Sequence, residues 1–377
     1  MFGASGDFDG PGGSDTLALA KRLNGASAAF LLAVGDLGYT SDEPGWCSSI
    51  KSALDDVEII AGNHDTGEDR GGDIAQYIVS CPFTLGVPIS GGPGIPDEGY
   101  GREYYFDYPG GSPLVRVIMI TAGVRGSTSI DYGTGSPHYN WVVGAVDDAR
   151  SGNIPWVVLG VHKQCITVGS KPGCSMGQEM FDKLVDLKVD LILQAHDHTY
   201  QRSKQLRLGP NCRSVPSTDR FNADCVVDDG ADDNYTKGRG PVVVVSGTGG
   251  RSLYPVDIGG GDAEMGYFVH AMGGNANTRS LGTGFGAVKF TVAADEIAAE
   301  TDYCPPGGTE ADGSCMSSRN ATFHDKFVIS AGPGPDIPFG TTPARPDLFL
   351  LLTSIAVAAV AAIGVVLVVP RRGRRKP

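Results

Sequence analysis

Seven histidines are spread over 377 residues, yet His196 and His198 flank Asp197 in 195-AHDHTYQR-202, straight after the apolar run 189-VDLILQ-194. His162 closes a similar run, 154-IPWVVLGVH-162, and 57-VEIIAGNHD-65 ends in Asn63, His64 and Asp65. With Asp36 in 35-GDLGY-39 and Asp7 in 6-GDFD-9, most of these donors follow an apolar run, the pattern of a site assembled at strand ends. One such residue means little, because a strand-end histidine is commonly a hydrogen-bonded structural group and GNHD alone fits an Asx turn. Asp7, Asp36, Asn63, His162, His196 and His198 together point to metal. Hard oxygen donors mixed with imidazole suit Zn, Fe or Mn, and an aspartate can be shared by two ions about 3.5–4 Å apart. Such a pair binds a phosphate, offsets its transition-state charge and acidifies a water for in-line attack on phosphorus.

The elements that must carry these residues are short. Runs at 28–36, 57–65, 154–162, 189–198, 114–123 and 241–250 read as buried strands, since each is too short for a typical helix. Segments 15–24, 141–150 and 177–188 repeat apolar residues at helical spacing. The sum is an α/β domain with helices packed on a sheet, whose ligand site lies beyond the carboxyl ends of the strands. The Gly/Pro/Asp-rich segments 86–101, 208–240 and 256–266 read as long loops near that site, and no internal repeat is evident.

Residues 348–369 form 22 positions without a charge, followed by 370-PRRGRRKP-377 with five basic residues. This reads as a single transmembrane helix at the cell membrane, with residues 370–377 as a cytoplasmic tail and the body extracytoplasmic. Residues 330–347 are a Pro/Gly linker, which leaves 1–329 as the catalytic domain. Eight cysteines without close CxxC spacing agree with an oxidising compartment, and pairing of nearest neighbours (47 with 81, 165 with 174, 212 with 225, 304 with 315) is the simplest connectivity. An exported body calls for a signal peptide that MFGASGDFDG does not contain, so the start reads as truncated or processed. Asn234 and Asn320 head N-x-T sequons that matter only in a glycosylating host. Net charge is −13 overall, so without its five basic tail residues the chain carries −18. That argues against nucleic-acid binding, and any phosphate must meet positive charge locally.

The order GDFD, GDLGY, GNHD, GVH, AHDH resembles the five-block signature of calcineurin-like metallophosphoesterases. Tyr39 in GDLGY and the stretch 195-AHDHTYQRS-203 resemble the purple acid phosphatase branch, as do 243-VVVSGTGG-250 and 281-LGTGFGAVKFTV-292, so the likeness runs to about residue 302. The resemblance implies a four-layer α/β/β/α sandwich, here followed by the C-terminal transmembrane helix. It implies one ion held by Asp7, Asp36, Tyr39 and His198, and a second held by Asp36, Asn63, His162 and His196. It further implies that His64 contacts the phosphoryl oxygens or protonates the leaving group, with Asp65 orienting it. A phenolate from Tyr39 favours Fe(III) in the first position, with Fe(II), Zn or Mn in the second, and an acidic optimum follows.

Departures from the family pattern leave alternatives open. Asp9 stands where the family usually has His or Gly, and is either an extra ligand or solvent-facing. Lys163 and Gln164 follow His162 where the branch tends to place further histidines; Lys163 is a phosphate contact or a solvated lysine. Arg202 braces the metal loop or forms a structural ion pair. His138, His270 and His324 lie outside the blocks, though His270 reads as sitting in a loop able to reach the site. The function expected is hydrolysis of a small phosphomonoester, with a phosphodiesterase or nucleotidase, or an inactive surface binding protein on the same frame, as the competing readings.

Overall fold

The computed structural model describes residues 1–332 except 68–70, 127–128, 219, 260, 275–283, 302 and 305–322. In chain order its first strands are β1 (Phe2–Ser5), β2 (Leu31–Val34), β3 (Val57–Ile60), β4 (Ile89–Gly91), β5 (Glu103–Tyr108), β6 (Val115–Ile120), β7 (Trp156–Val161) and β8 (Leu191–Gln194). There follow β9 (Tyr200–Ser203), β10 (Gln205–Leu206), β11 (Val226–Asp228), β12 (Asn234–Thr236), β13 (Val242–Ser246), β14 (Phe268–Met272), β15 (Val288–Val292), β16 (Glu296–Thr301) and β17 (Lys326–Ser330). The helices are α1 (Ser14–Gly25), α2 (Glu43–Lys51), α3 (Ile74–Ser80), α4 (Pro137–Ser151) and α5 (Gln178–Asp186). All six strands and three helices read from the sequence are present, each inside its expected span or within four residues of it.

Two mixed sheets result, seven strands in the order β12-β17-β16-β15-β1-β2-β3 and eight in the order β14-β9-β13-β8-β7-β6-β5-β4. The strands that feed the site run parallel within each sheet: β1-β2-β3 in one, β6-β7-β8-β13 in the other. The period of two along a strand divides the core. Val117, Met119, Val158, Leu191, Leu193, Val242 and Val244 pack with Phe2, Ala4 and Phe290 of the opposing sheet. Their alternates Ile118, Ile120, Val157, Leu159, Ile192 and Val243 pack under α4 and α5. Both faces of these strands are therefore buried, which is why they read as continuous apolar runs.

The helices present one apolar stripe each. Val142, Ala145, Val146 and Ala149 of α4 follow the i, i+3, i+4, i+7 rule, and Met180, Phe181, Leu184 and Val185 of α5 form two adjacent pairs one helical turn apart. Ser136 caps α4 by accepting from the Tyr139 amide. Leu19, Ala20 and Leu23 of α1 join the core of the first sheet. Helices α2 and α3, hidden in sequence by Pro44 and Gly45 and by short length, start at Asp42 and Asp73, whose side chains accept from the amides of Gly45 and Ala75.

Cys47 pairs with Cys81, Cys165 with Cys174 and Cys212 with Cys225. Cys304 is also disulfide-bonded, while Cys315 lies outside the described residues. The long segment 208–240 differs from expectation: it supplies the hairpin strand β11 and the edge strand β12 instead of a plain loop. Segment 86–101 likewise contains β4, because its backbone finds a partner in β5. Among the described residues no helix is long and apolar enough to cross a membrane, and the expected span at 348–369 lies outside them.

Candidate metal centre

Five of the seven expected ligands stand just past a parallel strand: Asp7 after β1, Asp36 after β2, Asn63 after β3, His162 after β7 and His196 after β8. Three of these strands belong to one sheet and two to the other, so the site lies at the seam of the sandwich. The turns are tight. Asp7, Asp36, Tyr39 and His196 have φ of 58°, 52°, 52° and 66°, a left-handed conformation that non-glycine residues hold only where surroundings enforce it. Two glycines let the turns close: a Cβ on Gly35 (φ +81°) would meet His162 Nδ1 at 2.7 Å, and one on Gly62 would lie within the volume of Asp36. Backbone bonds from Asp7 N to Gly35 O (3.1 Å) and from Ala195 N to His162 O (3.1 Å) join neighbouring turns.

The first expected ligand set converges. Tyr39 OH lies 3.0 Å from Asp7 Oδ1, 3.1 Å from Asp36 Oδ2 and 3.0 Å from His198 Nε2. His198 Nε2 is 3.3 Å from Asp7 Oδ1. Adjacent ligands of an ion with bonds of about 2.0–2.2 Å stand roughly 3 Å apart, a spacing Tyr39 OH meets with each of the other three donors and His198 meets with Asp7. Burial, then the charges of Asp7 and Asp36, push the phenol of Tyr39 far above its ordinary range.

The second set shares Asp36. His162 Nε2 is 3.3 Å from Asp36 Oδ1 and 3.2 Å from Asn63 Oδ1, and Asp36, His162 and His196 can present ligand atoms to one ion. Burial acts to raise the Asp36 carboxyl pKa, but His162 and His64 together outweigh it and hold the group well below the usual range. Burial, then the charges of His162 and Lys163, hold His196 down to about 2, which leaves its ring neutral. Val34 O lies 3.0 Å from His162 Nδ1 and Ser252 O 2.8 Å from His198 Nδ1, so each Nδ1–H is held by a carbonyl and each Nε2 lone pair faces the centre. The donor chemistry fits two cations. One neighbour complicates the second position, where Lys163 Nζ lies 2.7 Å from Asn63 Oδ1 and 2.9 Å from His196 Nε2.

His64 is at the centre, its ring 4.6 Å from that of Tyr39 and its amide donating to Asp36 Oδ1 at 2.9 Å. Asp65 departs from the expected role of orienting His64. Its fully buried carboxylate accepts from Leu37 N (3.0 Å) and Gly62 N (2.7 Å), tying the Asp36 and Asn63 turns together. Burial, then the charge of Asp36, pushes Asp65 up to about 7.

His196 and His198 also need a correction. They do not belong to the strand expected over 189–198, because β8 ends at Gln194 and both lie in the turn before β9. Asp197 points the other way, accepting from Thr167 Oγ1 (2.6 Å), Ser170 N (3.0 Å) and Lys171 N (3.3 Å), and so anchors the loop after His162. Arg202 is fully buried and pairs with Asp325 (2.8 Å) and Asp233 (2.6 Å), the structural alternative. His270 joins that network through Asp325, His138 pairs with Glu103, and His324 faces Thr301 O. Gln164 is a buried brace on the carbonyl of Lys171.

Sequence reasoning missed the rim supplied by the loop after β13. Arg251 lies over the Tyr39 ring at 4.4 Å, and Tyr254 stacks on His198 with centroids 4.0 Å apart. Lys171 stands 5.4 Å over Tyr254. An arginine directly after the Gly-rich turn 247-GTGG-250 was the available signal. Asp9 is half-buried; burial raises its pKa while Arg251 opposes. Cations thus gather at the mouth of a centre in an otherwise acidic chain.

Residues 10–200 match the calcineurin-like phosphoesterase family. Purple acid phosphatase 1 of Ipomoea batatas is 26% identical over 269 residues, 67% of this chain and 50% of that protein. An uncharacterized Mycobacterium tuberculosis protein is 30% identical over 206 residues, covering 51% of this chain and 35% of its own. The chain therefore spans half or less of these relatives. Among solved structures, purple acid phosphatase PPD1 of yellow lupin (Lupinus luteus) aligns with TM-score 0.57 at 15% identity, over 88% of this chain and 53% of that one. PhoD aligns with TM-score 0.50 at 11% identity, over 87% and 69%. At these identities the two structures speak to the fold alone.

Proposed function

The chain belongs to the calcineurin-like phosphoesterase family, and from that premise we propose that it is a binuclear-metal hydrolase of small phosphomonoesters, of the acid phosphatase kind. The observation that carries this is the shared Asp36, which faces Tyr39 on one side and His162 on the other. Asp7, Asp36, Tyr39 and His198 would hold one ion, Fe(III) in this reading; Asp36, Asn63, His162 and His196 would hold Fe(II), Zn or Mn. When bound, two such ions supply charge neutralisation and an acidified water. The chain supplies the remainder. Arg251 and Lys171 draw a dianionic substrate toward the centre. His64 would donate the proton that the departing alkoxide takes up as its P–O bond breaks, while the attacking water, its own proton released to solvent, bonds to phosphorus. Similarity to a purple acid phosphatase supports the substrate class.

The test is turnover of an aryl phosphomonoester against a bis-aryl phosphodiester by protein whose metal content is measured on the same sample. No turnover of either by fully loaded protein refutes the enzyme; preference for the diester moves the reading to a phosphodiesterase or nucleotidase. We further read the chain as a single-pass cell-membrane protein anchored through 348–369, with its body extracytoplasmic. The uncharged run, its basic flank and the disulfides support this. Protease protection in sealed vesicles checks it: a body inaccessible from outside intact cells would reverse the topology.

A further inference from the structure

Lys163 stands at a position where an imidazole-rich site gains an ammonium, and its place is specific. Nζ lies 2.7 Å from Asn63 Oδ1 and 2.9 Å from His196 Nε2, with His196 Nδ1 at 3.3 Å. Asn63 and His196 are two of the four donors assigned to the second ion. We propose that the Lys163 ammonium is a built-in cation of the second metal position, opposing the second ion by its charge and by its hold on Asn63, so that the chain holds one ion tightly and the other weakly. The inference rests on the metal-centre reading above.

Two physical constraints carry it. Nζ is close to both nitrogens of the His196 ring, at 2.9 and 3.3 Å, which places it over the ring face and off the in-plane Nε2 lone pair, so Lys163 brings its charge to the second position without taking that lone pair. An ammonium within hydrogen-bond reach of the same donors also repels a divalent ion in a largely buried site, where solvent screens little. The side chain is half-buried and attached directly after His162, so it enters the position from within the ligand set. The first set is treated differently: Tyr39 contacts His198 and both carboxylates, while the hydrogen-bond contacts of Lys163 are with Asn63 and His196 and its charge reaches Asp36 and Asp7 only through space. The asymmetry predicts sequential loading, with Lys163 withdrawing before the second ion enters.

The experiment is calorimetric titration of metal-stripped full chain with Zn2+ or Mn2+, with elemental analysis of the saturated protein. Wild type is expected to bind one ion tightly and a second at least tenfold more weakly. Lys163→Met, which keeps the apolar stem and removes the charge, should tighten the second step at least tenfold, whereas Lys163→Arg should leave it weak. Two ions bound equally by wild type, or a second step unchanged in Lys163→Met, overturns the proposal; if that variant does not fold, the wild-type isotherm alone decides. Two equal steps with phosphoester turnover defeat this inference and leave the proposed function standing. Sequential loading without turnover does the reverse.

Discussion

Glu58 in β3 is fully buried, five residues before Asn63, with Tyr100 OH donating to its Oε2 at 3.0 Å. Burial pushes its carboxyl pKa from the ordinary 4.5 up to about 8; Tyr100 and the Thr84 amide only partly oppose this. A carboxyl with a raised folded-state pKa binds its proton more tightly folded than unfolded. Its contribution is therefore fully present below pH 4.5 and is lost as pH rises toward 8, at up to about 1.4 kcal/mol per unit. Over the whole window the loss is about 3–5 kcal/mol, a large fraction of a typical stability of roughly 5–15 kcal/mol. Glu58→Gln keeps the shape and removes the titration. Urea unfolding in EDTA, which keeps metal linkage out of the comparison, should show wild type falling about 2–3 kcal/mol more than the variant between pH 5.5 and 7.5. The other titrating groups are common to both proteins, so the difference isolates this one. Parallel curves would refute the reasoning. The direction suits the proposed activity, because it makes the fold most secure where an acid phosphatase works.

Removing ligands one at a time should separate the two ions: His196→Ala should deplete chiefly the second and His198→Ala chiefly the first, read by elemental analysis, while equal loss in both would undo the assignment. Tyr39→Phe should abolish a phenolate charge-transfer band in iron-loaded protein, and a colourless, active Mn or Zn wild type would contradict Fe(III) at that position. Arg202→Leu leaves Asp325 buried without its main partner and should destabilise by about 3–5 kcal/mol in urea with little change in metal content. Opening the Cys47–Cys81 link, 34 residues apart, with a double serine variant should lower stability by about 3–4 kcal/mol on chain-entropy grounds.

Much of the fold was legible because its central strands are buried on both faces. Strands β7 and β8 show as apolar runs ended by a polar residue, and α4 and α5 show as amphipathic stripes. The added strands were not legible: β4, β11 and β12 are three residues long and exist through their partners. Nor were α2 and α3, whose starts depend on side-chain caps more than on periodicity.

The same division holds at the centre. Donor identity and order along the chain were set by sequence alone: a carboxylate, amide or imidazole after each of five parallel strands is a local pattern that survives without coordinates. Which donors face each other was decided by the sandwich, because Asp7, Asp36 and Asn63 come from one sheet and His162 and His196 from the other. Left-handed turns at Asp36 and His196, the backbone-facing roles of Asp65 and Asp197, and the approach of Arg251 and Lys163 all arise from contacts between residues distant in sequence. A linear pattern encodes periodicity and chemistry; it does not encode which turn will meet which, and that meeting is what makes these residues one site.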